Sequence, residues 1–487
     1  MSELLNWINN NKKSNTAIVY RETNFDEYNQ ITYSELCKYL NSLSNYLQIY
    51  KNKTIAIIGN NKLEYVVSLL SILCNIGNVF VIDKELNENE INKLFKKVTP
   101  DLIILDDEIN LKFEKKNILK FSEINKIMKS NLNFEIDNTF SGNLILHTSG
   151  TTGEPKCILL TEEMYLYIIK DLNDSWKVRE NHSCLFIIPF YHIYALTSLF
   201  HGLYAGISNI IEWDYSRLET VLKKTNPSIF LGVPLIFNKV KDKAYEKAGN
   251  KLNSAIKLSS FLLSLKIDIR KKLFKEIHNY FGNNYFFAVS GGSIANPETH
   301  KFFEDIGLPL YSGYGMTETS GPVAITYEKN NKYDSVGKIL NNNIKIINKN
   351  ENGIGEIYIS GENIIKNYIG EENNDIFVDD YFNTGDLGYV KDNFLYITGR
   401  NKNILIGDNA KNISSEELSE KILKNKNIYD CLIKMENNKI IAILDTTLSE
   451  KEIENYISEI NKTLPNYKKI SKFKIINKGF KNENSWN

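Results

Sequence analysis

Apolar residues along the chain fall into two rhythms. Short near-continuous runs such as Thr54-Ile-Ala-Ile-Ile-Gly59, Asn78-Val-Phe-Val-Ile-Asp83 and Asp101-Leu-Ile-Ile-Leu105 alternate with segments, Leu63–Cys74 and Asn89–Lys97, where apolar residues return every three or four positions. A run with no polar alternation reads as a strand covered on both faces, and its regular exchange with helices predicts a parallel α/β sheet with helices on either side. Leu144–His147, Cys184–Ile188, Phe286–Ser290 and Phe394–Thr398 repeat the strand signal. Ile31-Thr-Tyr-Ser-Glu-Leu36 places a capping Thr or Ser before a helix start. From about Val240 to Phe281 the chain is rich in lysine and amphipathic, which predicts one or two solvated helices with an apolar face. The last part changes character. A helix near Glu416–Lys424, strands near Tyr429–Lys434 and Ile440–Leu444, a helix over Lys451–Lys462 and a strand near Ser471–Ile476 predict a small α+β domain.

Length and charge narrow this picture. A chain of 487 residues exceeds what one hydrophobic core organises, so two or three domains are expected. The 59 basic and 59 acidic residues are interspersed, which leaves no electrostatic footprint for nucleic acid. Cys37, Cys74, Cys157, Cys184 and Cys431 are scattered and odd in number, the pattern of reduced thiols and not of a disulfide or metal frame. Met1-Ser-Glu-Leu-Leu-Asn-Trp7 lacks a basic flank and a long apolar core, and no run approaches the ~18 apolar residues of a membrane span. A cytoplasmic protein is the expectation.

The chemistry concentrates in Thr148-Ser149-Gly150-Thr151-Thr152-Gly153-Glu-Pro-Lys156, which follows the Leu144–His147 strand. Glycines let backbone N–H groups approach an anion, hydroxyls add short donors, and Lys156 brings the balancing charge, so the loop suits a phosphate. The order Gly150-x-x-Gly153-x-x-Lys156, with Pro155 before the lysine and Cys157-Ile-Leu-Leu160 after it, is not that of the P-loop, whose lysine follows a glycine and opens a helix. A strand on each side makes it a hairpin-type loop; the plain alternative is a Thr/Gly-rich surface turn.

Three later stretches carry further candidates. Gly291 and Gly292 close the Phe286–Ser290 strand at its carboxyl end, where open α/β sheets keep their ligand crevices. In Tyr311-Ser-Gly-Tyr-Gly-Met-Thr-Glu-Thr319, Gly313 and Gly315 flank Tyr314 and permit flat stacking on a purine; Met316 follows, Thr317 offers a hydroxyl, and Glu318 can hold a magnesium ion directly or through water. Tyr381-Phe-Asn-Thr-Gly-Asp386 presents a carboxylate after a tight turn. The element Pro189-Phe-Tyr-His192 sets a histidine after an apolar strand, which by itself reads as a packed or hydrogen-bonded side chain.

In this order the loop at 148–156, the Tyr311–Thr319 stretch and Thr384-Gly-Asp386 resemble the motifs of the adenylate-forming superfamily, which holds acyl- and aryl-CoA synthetases, peptide-synthetase adenylation domains and luciferases. The resemblance covers essentially the whole chain and is strongest from Thr148 to Lys402. It implies activation of a carboxylate by ATP, as acyl-adenylate and pyrophosphate, followed by transfer to a thiol. It also implies that the phosphate loop, Gly291, Gly292, Gly313–Thr317, Asp386 and Arg400 bind the nucleotide, with Asp386 and Arg400 on the ribose, and that Lys156, Thr317 and Glu318 with Mg²⁺ are catalytic. His192 and Gly313 become walls of the carboxylate pocket, narrowed where Ala195 replaces the glycine of many relatives. Gly399-Arg400-Asn401-Lys402 resembles the hinge, with Lys402 at the pivot, dividing a large multi-layer ATP- and acyl-binding domain (1–399) from a small mobile domain (400–487).

The substrate expectation rests on the same resemblance. No aspartate stands in Pro189–Leu196 to hold an amino group, and the lysine-rich region before Ala288–Ser293 is similar to that of long-chain acyl-CoA synthetases, so an aliphatic acid of medium or long chain is expected. The thiol is CoA, or alternatively the phosphopantetheine of an acyl carrier protein. Ala410-Lys-Asn-Ile413 resembles the loop lining the thiol tunnel, with Ala410 in place of the usual glycine. Leu464-Pro-Asn-Tyr-Lys468 matches the lead-in to the family's C-terminal lysine, which would fall near Trp486-Asn487; Lys478 and Lys481 lie off register. Slowed adenylation follows as an expectation, and a weakened nucleotide- or acyl-binding module is the reading from another class.

Overall fold

Thr54–Ile58 sits inside a six-stranded sheet with the order Ile118–Lys120, Leu102–Leu105, Thr54–Ile58, Asn78–Ile82, Leu144–Thr148, Lys156–Leu160. All neighbours in it are parallel except the last pair. Successive side chains of a strand point to opposite faces, and here both faces are covered. Ile55, Ile57, Val79 and Val81 pack with the helix Leu63–Asn75. Ala56, Ile58, Phe80 and Ile82 pack with Ile91, Leu94 and Phe95 of the helix Glu88–Lys97. The near-continuous apolar runs in the sequence are the direct consequence.

The computed structural model describes residues 2–22, 27–113, 116–130, 140–148, 155–292, 296–371, 376–400, 404–406, 412–436, 439–464 and 468–476. By its contacts the chain divides into two units, Met1–Asn343 with Ile359–Phe382 and Lys391–Tyr396, and Ile344–Tyr358 with Asn383–Val390 and Ile397–Asn487.

The first unit holds a second sheet. Its parallel part runs Thr16–Arg21, Ser208–Ile211, Ser183–Phe186, Ile229–Gly232, Phe287–Ser290, Leu310–Met316. Antiparallel partners flank it, Tyr28–Thr32 at one side and Gly321–Ile325 then Gly337–Ile339 at the other. Phe186, Leu231, Phe287 and Val289 face a core that they share with the first sheet and with the helices Ile169–Trp176 and Ile193–Tyr204. Leu185, Phe230 and Ala288 point the other way, into a core closed by Leu218–Thr225, Pro234–Ala248 and Pro297–Asp305. The parallel-rich, multi-layer α/β architecture expected from the sequence is what forms. The helix Tyr33–Tyr46 starts on a capping box in which Thr32 and Glu35 satisfy each other's backbone N–H groups, as its Ser/Thr/Glu pattern suggests.

The lysine-rich region departs from expectation in number. It forms four helices, Pro234–Ala248, Asn250–Ser264, Arg270–Leu273 and Lys275–Phe281, instead of one or two. Gly249, at φ +54, breaks the first from the second, and Lys266, at φ +62, turns the chain after the second.

In the second unit, Ile428–Glu436 pairs antiparallel with Lys439–Thr446, which pairs parallel with Ile470–Ile475. The helices Ser415–Ile422 and Glu450–Lys462 pack Leu418, Ile422, Ile453 and Ile457 into the core of this sheet. The small α+β arrangement read from the sequence is present. Cys74, Cys157, Cys184 and Cys431 are buried free thiols, and Cys37 is half-buried. Among the described residues no helix is long and apolar enough to cross a membrane.

The helix Ile193–Tyr204 carries a buried titratable group with a consequence for stability. His201, on Ile193–Tyr204, is packed beside Trp176 and its Nε2 lies 3.3 Å from the Asn173 side-chain oxygen. Burial alone pulls its pKa from 6.5 down to about 4. The folded state therefore holds this imidazole neutral while the unfolded chain takes up a proton below about pH 6.5. Stability is fully present above that pH and declines as pH falls toward 4, by on the order of 3 kcal/mol from this group. Urea denaturation of the wild type and of His201→Leu at pH 7, 6, 5 and 4 should show the variant losing less stability across this range.

Candidate active site

The phosphate-loop candidate is held by a two-stranded hairpin. Leu144–Thr148 enters and Lys156–Leu160 leaves, in a register that pairs His147 with Cys157 and Thr148 with Lys156. The Thr148–Lys156 pair thus closes the ladder and brings the first hydroxyl and the lysine to the same strand end. Ser149, Gly150, Thr151, Thr152 and Gly153 lie outside the described residues.

Lys156 is already engaged. Its Nζ is 3.0 Å from Glu371 Oε2 and stands 4.4 Å from the centre of the Tyr368 ring. Lys97 reaches the other oxygen of Glu371 at 2.8 Å. Burial pushes the Glu371 pKa up, but hydrogen bonds from Lys97 and Lys156 outweigh it and hold the carboxyl below its usual value. The Tyr368 hydroxyl in turn donates to Glu318 Oε1 at 3.0 Å, and burial together with the Glu318 charge drives the phenol pKa well up. Lys156 and Glu318, two residues far apart in the chain, are therefore joined through one tyrosine. Tyr368 and Glu371 were not singled out by sequence reading; Asn367-Tyr-Ile-Gly-Glu371 carries no pattern that distinguishes it from a polar turn.

Glu318 is placed by local structure. The strand Leu310–Met316 ends in a single 3₁₀ turn, Thr317–Thr319. The Thr319 hydroxyl accepts from the Met316 N–H at 2.9 Å and donates to the Gly321 carbonyl at 2.7 Å. Asn363 donates to the Thr319 carbonyl at 2.8 Å, and the Ile365 N–H donates to the Glu318 carbonyl at 3.0 Å. The turn is fixed from both sides, so the buried Glu318 carboxylate has little freedom. Beneath the strand, the Ser312 hydroxyl meets His300 Nε2 at 3.2 Å and the Ser312 N–H donates to Thr326 at 2.7 Å.

The glycines around the half-buried Tyr314 serve different ends. A Cβ on Gly315 would lie 2.1 Å from the Gly321 carbonyl oxygen, so the close approach of the returning strand by itself demands glycine. Gly313 has Ile325 and Pro322 side chains no nearer than 3.9 Å. Gly291 follows the Phe287–Ser290 strand and is covered by Tyr194, whose ring would stand 3.0 Å from a Cβ there and whose hydroxyl donates to the Val289 carbonyl at 2.9 Å. Gly292 has φ +84, and a Cβ there would meet no atom of the described residues within 4 Å.

His192 precedes the helix Ile193–Tyr204 and is exposed, with its ring 4.4 Å from that of Tyr191. His147, on the hairpin strand, accepts from the Asp83 N–H through Nε2 at 3.0 Å. Burial lowers the His147 pKa below 6.5, opposed by Asp83 and reinforced by His192. The hydrogen bond uses the lone pair that a second proton would occupy, so the neutral ring fits this position.

In the second unit Asp386 lies within the strand Tyr381–Lys391, not after a tight turn as the Thr-Gly-Asp pattern suggests. Gly385 takes φ +72 inside the strand, and Thr384 donates to the Ile357 carbonyl at 2.8 Å while accepting from the Asp386 N–H at 3.1 Å. Neighbouring strand pairing overrides the local turn preference. The Asp386 side chain is buried and accepts from Arg400 Nε at 2.8 Å, so these two expected ribose residues are brought together. Lys402, Ala410, Lys478, Lys481 and Trp486 lie outside the described residues.

The residues present would fit a magnesium ion shared with phosphate oxygens, not one caged by the protein. Among the described residues no group of three His, Cys, Asp or Glu side chains could cage a metal ion. Glu318 alone, with one oxygen held by Tyr368, matches an ion that keeps its waters and leans on one or two carboxylates.

Comparison with known proteins bears on the family and the fold. The AMP-binding enzyme family profile matches residues 5–369. The chain is 28% identical over 343 residues to the long-chain-fatty-acid–CoA ligase FadD15 of Mycobacterium bovis, covering 66% of this chain and 56% of that protein. It is 23% identical to the 2-succinylbenzoate–CoA ligase of Lactococcus lactis, covering 88% of this chain and 89% of that one. The chain thus spans little more than half the length of its long-chain-ligase relative. Among solved structures, o-succinylbenzoate CoA synthetase (MenE) of Bacillus subtilis with its acyl-adenylate OSB-AMP superposes with a TM-score of 0.75, 20% identity, and coverage of 98% and 94%. The same enzyme with ATP and magnesium ion gives 0.73 at 21% identity, covering 98% and 95%. Likenesses at this identity establish the fold.

Two substitutions probe the geometry without any substrate. Gly315→Ala forces a methyl against the Gly321 carbonyl and should cost about 1–3 kcal/mol or more in denaturant unfolding. Tyr368→Phe removes the hydrogen bond to the Glu318 carboxylate and should cost about 1.5–3 kcal/mol.

Proposed function

The chain belongs to the AMP-binding enzyme family, and on that premise we propose that it activates a medium- or long-chain aliphatic carboxylic acid with ATP and passes the acyl group to a thiol. The observation that carries this reading is the line Lys156–Tyr368–Glu318 at the closed end of the Thr/Gly hairpin. It sets a cation for phosphate oxygens and a carboxylate for a phosphate-bound metal on one rigid support.

The reaction asks for placement more than covalent help from the protein. A carboxylate oxygen attacks the α-phosphorus, the bond to the bridging oxygen breaks, and pyrophosphate leaves. Lys156 exchanges Glu371 for phosphate oxygens and neutralises charge that spreads during the attack. Glu318, together with phosphate oxygens, would hold a magnesium ion, which would supply charge screening for the triphosphate. Thr148 and the loop 149–153 cradle the phosphates, Gly291, Gly292 and Gly313 to Thr317 line the nucleotide, Asp386 and Arg400 take the ribose hydroxyls, and His192 walls the acid. In the second half-reaction a thiol sulfur attacks the acyl carbonyl and AMP leaves; CoA is the acceptor, with rotation about Lys402 exchanging the two half-reactions. A phosphopantetheinylated carrier protein is the alternative acceptor.

One observation favours a second acid class. The succinylbenzoate ligases match nearly the full length of the chain, whereas the long-chain ligase FadD15 matches 56% of its own. An aromatic or aryl-keto acid is therefore the competing substrate.

ATP–pyrophosphate exchange with saturated acids from six to eighteen carbons, benzoate and o-succinylbenzoate separates these readings. Exchange should peak on an aliphatic acid; a peak on an aromatic acid would transfer the assignment to the second class, and none with any acid would remove adenylation. Lys156→Ala should lower exchange by about 10²–10³-fold.

A further inference from the structure

The helix Asn250–Ser264 and the turn after it present an unusual surface. The helix rests on the first unit through Leu252, Ala255 and Ile256, which join the core beneath Pro234–Ala248 and Pro297–Asp305. Its other side is apolar as well. Leu258 (49% exposed), Phe261 (61%) and Leu265 (56%) follow at spacings of three and four, so they share the outer face, and Ile267 (50%) continues the patch around the turn. Single exposed apolar residues are ordinary, but this many in one short stretch marks a contact surface.

Charge distinguishes the partner. Lys251, Lys257, Lys266, Lys271, Lys272 and Lys275 are all exposed in the same stretch. Its one acidic residue between positions 250 and 275, Asp268, is paired with Arg270 at 2.7 Å. Basic and acidic residues balance over the whole chain, so this excess is local. A lysine can lay its aliphatic stem along an apolar surface while its ammonium group reaches outward. Exposed apolar side chains in a lysine-rich stretch match the boundary of an anionic bilayer, with acyl chains below and phosphates above. At 15 residues the helix is too short to span a bilayer, so it would lie in the plane of the surface.

We infer that the surface formed by Leu258, Phe261, Leu265 and Ile267, with the exposed lysines of the same stretch, docks the protein reversibly on anionic lipid membranes. This inference rests on the helical lobe alone and does not depend on the substrate or on the nucleotide site.

Co-sedimentation of the full chain, without ATP or acid, with vesicles of phosphatidylcholine alone or mixed with phosphatidylglycerol tests it. Binding should appear on the anionic vesicles and fall about tenfold or more on neutral vesicles or at ~1 M salt, where screening shortens to about 3 Å. The triple variant Leu258→Ser, Phe261→Ser, Leu265→Ser and the pair Lys271→Glu, Lys272→Glu should each lose about tenfold or more in partition while keeping the wild-type circular dichroism. Ile49→Ser, which alters an exposed apolar residue outside the lobe, should bind as the wild type does. The inference is overturned if the wild type stays in the supernatant with anionic vesicles, or if the folded triple variant binds undiminished. Gel filtration showing a wild-type dimer that the triple variant abolishes, without vesicle binding, would overturn it in favour of self-association.

Discussion

Strands buried on both faces constrain everything else in the first unit. The apolar side chains of Thr54–Ile58, Asn78–Ile82 and Phe287–Ser290 enter a core on either face, which leaves little room for charge along these strands. It is displaced to the strand ends. Thr148 ends one strand, Gly291 follows another, and Thr317 follows a third. The candidate site collects at these ends.

At those ends charge is handled by mutual neutralisation. Lys156 and Glu318 would each be costly to strip of water alone. Glu371 and the face of Tyr368 compensate the lysine, and the Tyr368 hydroxyl compensates the glutamate. The arrangement keeps both ions in place before any substrate arrives. In the proposed reaction, phosphate oxygens and a metal ion would replace these partners, one set of compensating interactions giving way to another.

The outer lobe obeys the opposite rule. Within the core, helices hide their apolar faces; Asn250–Ser264 hides one and exposes a second, in a stretch rich in exposed lysines. Its two faces answer to two different surroundings, the body of the protein and something outside it.

The sequence by itself determined the layered α/β class, the position of the strands and helices it marked apart from the number of helices in the lysine-rich region, the hairpin around the phosphate-loop candidate and the small α+β unit. Those properties are local: apolar runs, helical spacing and glycine-rich turns act over a handful of neighbouring positions. Only the tertiary structure decided that Tyr368 and Glu371 stand beside Lys156 and Glu318, that Tyr194 covers Gly291, that Asp386 lies in a strand paired to Arg400 and not in a turn, and that one face of the lysine-rich region stays outside. Each of these depends on contacts between residues distant in the chain. A tyrosine or glutamate in a polar stretch carries no mark of which charge it will meet, because that is fixed by how sheets and helices pack and not by the residues beside it.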